Sequence, residues 1–312
     1  KSRKLLVVFC PTLTNPYYVM LLQGIEAMAK EYGYGVFVCN TQRDLKIEEN
    51  YLRMMREVQP LGIIYACNPS VSRQGAELSG EIPVVVISNR DDEFSIDAVA
   101  LNNQKPGILM ARHLLELGHR DVAFIAPPLT ARQHQRQKRV GGFLMEFEKA
   151  GLSDHVLVRS AADSKDTEIP NIESEYRMGY DLTVELLREG QPVTAIAALN
   201  DMMAFGAMDA MKAAGISYGV DGDVILISFD ACTAGLEYVM SGDINADFEC
   251  NPLAAPFVED VIKQLESGST PDKEVYMVEH WYVNEDILSS ITVNGEEQEL
   301  TVVTQEIVDA QY

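Results

Sequence analysis

Short, wholly apolar runs alternate with amphipathic stretches along most of the chain, and this alternation narrows the possible folds more than any other feature. KLLVVFC (4–10) gives way to a helical stretch at 16–32, and GVFVCN (35–40) to LKIEENYLRMMREV (45–58). LGIIYAC (61–67) leads into a looser segment and then IPVVVIS (82–88). In the second helical stretch Ile47, Tyr51, Met54, Met55 and Val58 stand at i, i+4, i+7, i+8 and i+11, one face of a helix. The pattern then restarts. AVAL (98–101) leads to QKPGILMARHLLELG (104–118), and DVAFIAP (121–127) to RQKRVGGFLMEFEKAG (136–151). HVLV (155–158) precedes a helix around 176–189, VTAIAALN (193–200) precedes DMMAFGAMDAMKAAG (201–215), and DVILISFD (223–230) follows. This β-α-β-α order predicts parallel sheets covered by helices on both sides.

The two series form two successive α/β units, roughly 1–102 and 103–250. The tail continues the alternation with INADF (244–248), a helix over 252–268 and EVYMVEHWYV (274–283). A polar stretch, VNGEEQEL (293–300), reads as a hairpin around Asn294-Gly295. A tail long enough to cross back predicts two Rossmann-like lobes, 1–102 plus 251–278 and 103–250 plus 279–312, joined by a multi-strand hinge around a cleft. Open α/β sheets bind ligands beyond the carboxyl ends of their strands, so function is sought in the residues that follow each strand.

Composition closes off several function classes. The chain has 312 residues, 47% hydrophobic and 23% charged, the balance of a globular protein. Its 25 basic and 47 acidic residues give a net charge of −22, which repels a phosphate backbone, so this segment alone is a poor nucleic-acid binder. The five scattered cysteines include no CxxC and read as buried free thiols in a reducing, cytoplasmic setting. KSRKLLVVFC mimics a signal peptide, but its apolar part stops at Pro11; no run is long enough to span a membrane. The start at Lys1 is read as a chain from which an upstream piece has been removed. GxGxxG, GxxxxGK[ST] and HExxH are missing, and no nucleophile–base pair is visible. No cofactor, no metal and no catalysis are expected.

The strand ends carry a consistent set of side chains. After the first strand, Asn15 is a good N-cap and Pro16 suits a first helical turn. Neither explains Tyr17 and Tyr18, whose rings at that turn are placed to lie against a ligand's apolar face. Asn89 and Arg90 follow the fourth run, and an arginine there can fork two hydrogen bonds onto a polar ligand. Asn200 follows VTAIAAL with both a donor and an acceptor, and Asp230 follows VILISF as an acceptor suited to hydroxyls. Arg139 sits in RVGGF, whose two glycines each cost a helix about 1 kcal/mol and point to close backbone approach. This inventory suits a small polyhydroxylated molecule.

The ordered motifs NPYY (15–18), NRD (89–91), LNNQKPGILMARHLLELGHRDVAFI (101–125), RVGGF (139–143), AIAALNDMMAFGAMDAMKAAGI (195–216) and DVILISFD (223–230) resemble the LacI/GalR family of sugar-responsive transcription regulators. The ligand-binding core of that family is akin to periplasmic sugar-binding proteins, and the likeness runs to about residue 268. It implies a type I periplasmic-binding-protein-like fold. Effector contacts would come from Asn15, Tyr17, Tyr18, Asn89 and Arg90 in one lobe and from Arg139, Asn200 and Asp230 in the other. Asn89 stands where the family often has Asp, Tyr176 is the aromatic nearest the usual stacking position, and Glu249 falls near the family's crossover glutamine. The resemblance further implies a homodimer, contact with DNA only through an upstream helix-turn-helix, and an effector that biases the lobe arrangement. ADFECNPLAAP (246–256) is more similar to transporter proteins, so an extracytoplasmic sugar-binding protein of an ABC transporter is the competing expectation.

Overall fold

The computed structural model describes residues 4–66, 81–87, 97–99, 103–130, 134–162, 172–250, 262–263, 265–267, 279–288, 290–293 and 295–311. Asn89, Arg90 and most of the helix expected at 252–268 lie outside these residues. The chain divides into two compact units. One comprises Lys1–Asn102, Glu168–Asn171 and Pro252–Val278; the other comprises Asn103–Thr167, Ile172–Asn251 and Glu279–Tyr312.

In the first unit, β1 (Leu5–Cys10), α1 (Pro16–Glu31), β2 (Gly35–Asn40), α2 (Leu45–Val58), β3 (Gly62–Tyr65), β4 (Val84–Ile87) and β5 (Asp97–Val99) follow one another. The sheet order is β2-β1-β3-β4-β5 and every pairing is parallel. Strand alternation explains why β1 is apolar at consecutive positions. Leu6 and Val8 pack with Leu21 and Ile25 of α1 on one side of the sheet, while Val7 and Phe9 pack with Leu52 and Met55 of α2 on the other. Both helices are capped from within the sequence. Asn15 Oδ1 accepts the Tyr17 N–H at 2.9 Å, and Asp44 Oδ1 accepts those of Lys46 and Ile47 at 2.7 and 3.0 Å.

The second unit runs α3 (Gln104–Glu116), β6 (Val122–Ala126), α4 (His134–Lys149), β7 (Val156–Ser160), α5 (Ile172–Arg188), β8 (Ala195–Ala198), α6 (Asp201–Ala213), β9 (Ile225–Phe229), α7 (Thr233–Ser241) and β10 (Ala246–Cys250). It ends with β11 (Glu279–Val283), β12 (Ser290–Val293), β13 (Glu296–Glu299), β14 (Thr301–Val302) and α8 (Gln305–Ala310). The main sheet has the order β14-β11-β10-β9-β8-β6-β7, with only the β10–β11 pair antiparallel. β12 and β13 form the expected hairpin, which docks on α3 where Arg112 Nε donates to the Thr292 carbonyl at 3.0 Å.

Helices of this unit touch backbone to backbone through glycine. A Cβ on Gly107 of α3 would come within 1.9 Å of the Arg139 carbonyl oxygen, and one on Gly142 of α4 within 2.2 Å of the Gln104 carbonyl oxygen. The expected close approach at RVGGF therefore belongs to Gly142 alone, since Gly141 faces open space. Cys10, Cys39 and Cys232 are buried free thiols. No described helix is long and apolar enough to cross a membrane.

Candidate functional site

The carboxyl ends of β8 and β9 and the body of α4 bring one polar group together in the second unit. β8 ends at Ala198, and two residues later Asn200 caps α6, its Oδ1 accepting the Met203 N–H at 3.1 Å. Capping fixes the amide orientation and turns Nδ2 outward, where it donates to Glu175 Oε2 at 2.9 Å. Arg139 reaches the same place from α4. Its Nη1 donates to the Leu199 carbonyl at 2.7 Å and its Nη2 to Asn103 Oδ1 at 2.7 Å. The guanidinium carbon lies 3.4 Å from the centre of the Phe229 ring, so the last residue of β9 supports the arginine face-on.

Asp230 follows Phe229 with φ at +118°, and Ala231 follows it at +53°. Two successive non-glycine residues in this region are costly and persist only where their surroundings hold them. The Asp230 N–H donates to the Phe248 carbonyl at 2.9 Å, and the Gln311 amide donates to the Ala231 carbonyl at 2.8 Å. Burial, reinforced by the charge of Asp201, pushes the Asp230 carboxyl well above the usual carboxylate range, while Arg139 pulls in the opposite direction and Glu175 adds to the rise. Glu175 is itself tied to Arg136 at 3.5 Å, and Arg136 also donates to the Pro128 carbonyl at 3.2 Å.

Arg139, Asn200 and Asp230, all anticipated from the sequence, thus stand together, with Glu175, Arg136 and Asn103 joining them. Fixed donors and acceptors of both kinds beyond parallel strand ends suit the recognition of several hydroxyl groups at once. Tyr176 is turned elsewhere: its hydroxyl donates to Asp209 of α6, and that bond pushes its pKa up to about 12. Glu249, buried in β10, accepts from the Tyr282 hydroxyl at 3.1 Å and the Gln311 amide at 2.8 Å, and so ties the chain's tail to the sheet. In the first unit Asn15 serves as the cap of α1, and Tyr17 and Tyr18 are half-buried against its core with ring centroids 5.2 Å apart at 86°. Among the described residues, no group of three or more His, Cys, Asp or Glu is placed to hold a metal ion.

Each of the three added residues has a local sequence signal. Asn103 immediately precedes α3, Arg136 lies one helical turn before Arg139, and Glu175 neighbours Tyr176.

Two α/β units of parallel-dominated sheets define a type I periplasmic-binding-protein-like fold. Residues 2–242 match the family described as periplasmic binding proteins and the sugar-binding domain of the LacI family, and the chain belongs to that family. It is 29% identical over 235 residues to the HTH-type transcriptional regulator DegA of Bacillus subtilis (strain 168), covering 74% of this chain and 65% of that protein. The chain therefore spans just under two thirds of that curated relative. Its fold is similar to that of the Caulobacter myo-inositol binding protein bound to myo-inositol, with TM-score 0.77, 20% identity and coverage of 90% and 93% of the two chains. It is likewise similar to a LacI family transcriptional regulator from Enterococcus faecium with bound ribose, with TM-score 0.72, 22% identity and coverage of 96% and 100%.

Proposed function

We propose that this chain is the effector-binding core of a LacI/GalR-like transcription regulator and that its effector is a small polyhydroxylated molecule, a sugar or cyclic polyol. The observation that carries this reading is the convergence of Arg139, Asn200 and Asp230 at the ends of parallel strands. Arg139 presents a fork to ring or hydroxyl oxygens, Asn200 both donates and accepts, and Asp230 binds a hydroxyl with Glu175 beside it. Asn15, Tyr17 and Tyr18 of the first unit, together with Asn89 and Arg90, supply the remaining contacts, the tyrosines offering ring faces. The bound myo-inositol and ribose of the two structural relatives support this class of ligand.

In this reading the core works as a cytoplasmic homodimer and meets DNA through an upstream helix-turn-helix. The effector shifts the regulator by binding one conformation of the core more tightly than another. The likeness to DegA supports a regulator over a transporter component. The test is a thermal-shift screen of D-ribose, L-arabinose, D-xylulose, myo-inositol and a nucleoside set. A true effector at a hundred times its Kd adds about 2.7 kcal/mol of stability. Raised melting with at least one sugar or polyol is expected, whereas stabilisation by the nucleosides alone, or by none of the compounds, would overturn the assignment.

A further inference from the structure

Beneath the Asp230 turn lie two carboxyl groups for which the effector reading has no use. Asp201 opens α6 and Asp247 stands in β10, and they are 2% and 0% exposed. Gly235 of α7 closes over them: a Cβ there would lie 2.5 Å from Asp247 Oδ2 and 2.6 Å from Asp201 Oδ2. The pair grips the turn by its backbone. Asp247 Oδ1 accepts the Ala231 N–H at 3.1 Å, and Asp201 Oδ2 accepts the next N–H, that of Cys232, at 2.9 Å. Asp201 Oδ1 is fixed in turn by the Ser228 hydroxyl at 2.5 Å.

Asp247 Oδ2 is buried with no hydrogen-bond donor among the described groups, and it shares the space beneath Gly235 with Asp201 Oδ2. Two carboxylates in contact and out of water do not both ionise, and a single proton between them supplies the missing donor. With the proton between the carboxyls, Asp247 Oδ1 and Asp201 Oδ2 each keep a lone pair to accept the Ala231 and Cys232 N–H groups. A hydrophobic pair in the same place would leave both N–H groups buried and unsatisfied.

We propose that Asp201 and Asp247 share one proton and act as positioning residues, clamping the N–H groups of Ala231 and Cys232 so that Asp230 is held in its left-handed conformation at the strand end. The consequence for effector binding rests on the reading of Asp230 as an effector contact; the clamp itself does not. The test therefore uses no effector. Infrared spectra at pH 7 and amide hydrogen exchange are compared for the wild type, Asp247→Asn and Asp247→Ala, with the amides of β8 as an internal reference. Asparagine supplies its own N–H to Asp201, so Asp247→Asn should lose one protonated-carboxyl C=O band while keeping the wild-type protection of Ala231 and Cys232. Asp247→Ala should lower that protection about tenfold or more, with β8 unchanged. An unchanged carboxyl band in Asp247→Asn would overturn the shared proton, and this result stands even if Asp247→Ala does not fold. Undiminished protection in Asp247→Ala, or an equal fall in β8, would overturn the positioning role. Failure of the sugar screen leaves all of these readouts intact.

Discussion

His113 shows how one residue can set the acid limit of the second unit. It is fully buried in α3, edge-on to Phe248 with ring centroids 6.2 Å apart, and neither ring nitrogen has a hydrogen-bond partner among the described residues. Burial, with a smaller push from His119, lowers its pKa from 6.5 to about 4. A folded-state pKa below the unfolded one means that the stabilisation is present above pH 6.5 and is lost as pH falls towards 4. The loss across that window is about 3 kcal/mol. Urea midpoints measured from pH 7 to pH 4.5 should fall steeply for the wild type and much less for His113→Leu; parallel curves would contradict this. The legible site residues follow the same logic of position. Asn200 and Asp230 are the first polar groups after apolar strands, and Arg139 stands out on its helix by the glycines beside it. Glu175 was missed because it lies in the first turn of its helix, and a helix's start is the part that its sequence pattern marks least sharply. The helix was therefore expected from about 176, whereas α5 starts at Ile172.

At the scale of elements, helix contact without intervening side chains decides which glycines matter. Gly142 of α4 lies against the backbone of α3, whereas Gly141 is exposed with nothing near its absent Cβ. Gly142→Ala should cost at least about 2 kcal/mol through overpacking, and Gly141→Ala should add about 0.5–1 kcal/mol through reduced backbone entropy. Denaturant melts of the two variants should shift in opposite directions; shifts of the same sign would mean that the glycine pair acts as one feature. The buried parallel strands were legible because burial on both faces demands unbroken apolar runs. The elements that escaped are those too short to show a period. α7 has nine residues, with Gly235, Leu236 and Val239 buried, and β14 has only two. Beyond the expected hairpin the tail showed no element in the sequence, yet β14 extends the main sheet and Gln311 reaches the Asp230 turn. That link joins residues 80 apart in sequence, and no local pattern marks it.

For the molecule as a whole, membership in the LacI-type sugar-binding family supplies the class, and the strand-end side chains supply the chemistry proposed for it. The motifs were individually weak; their order along the chain made the fold legible. Ligand identity was not legible, because hydroxyl recognition depends on where donors and acceptors sit in space and only secondarily on which residues provide them. The most direct test of the central claim is isothermal titration calorimetry of the sugar or polyol that most raises the melting temperature, comparing wild type with Arg139→Ala. Loss of a charged hydrogen-bond fork predicts weaker binding by about 1.5–3 kcal/mol, roughly ten- to more than a hundredfold. An Arg139→Ala variant that folds and binds that ligand as tightly as the wild type would contradict the account.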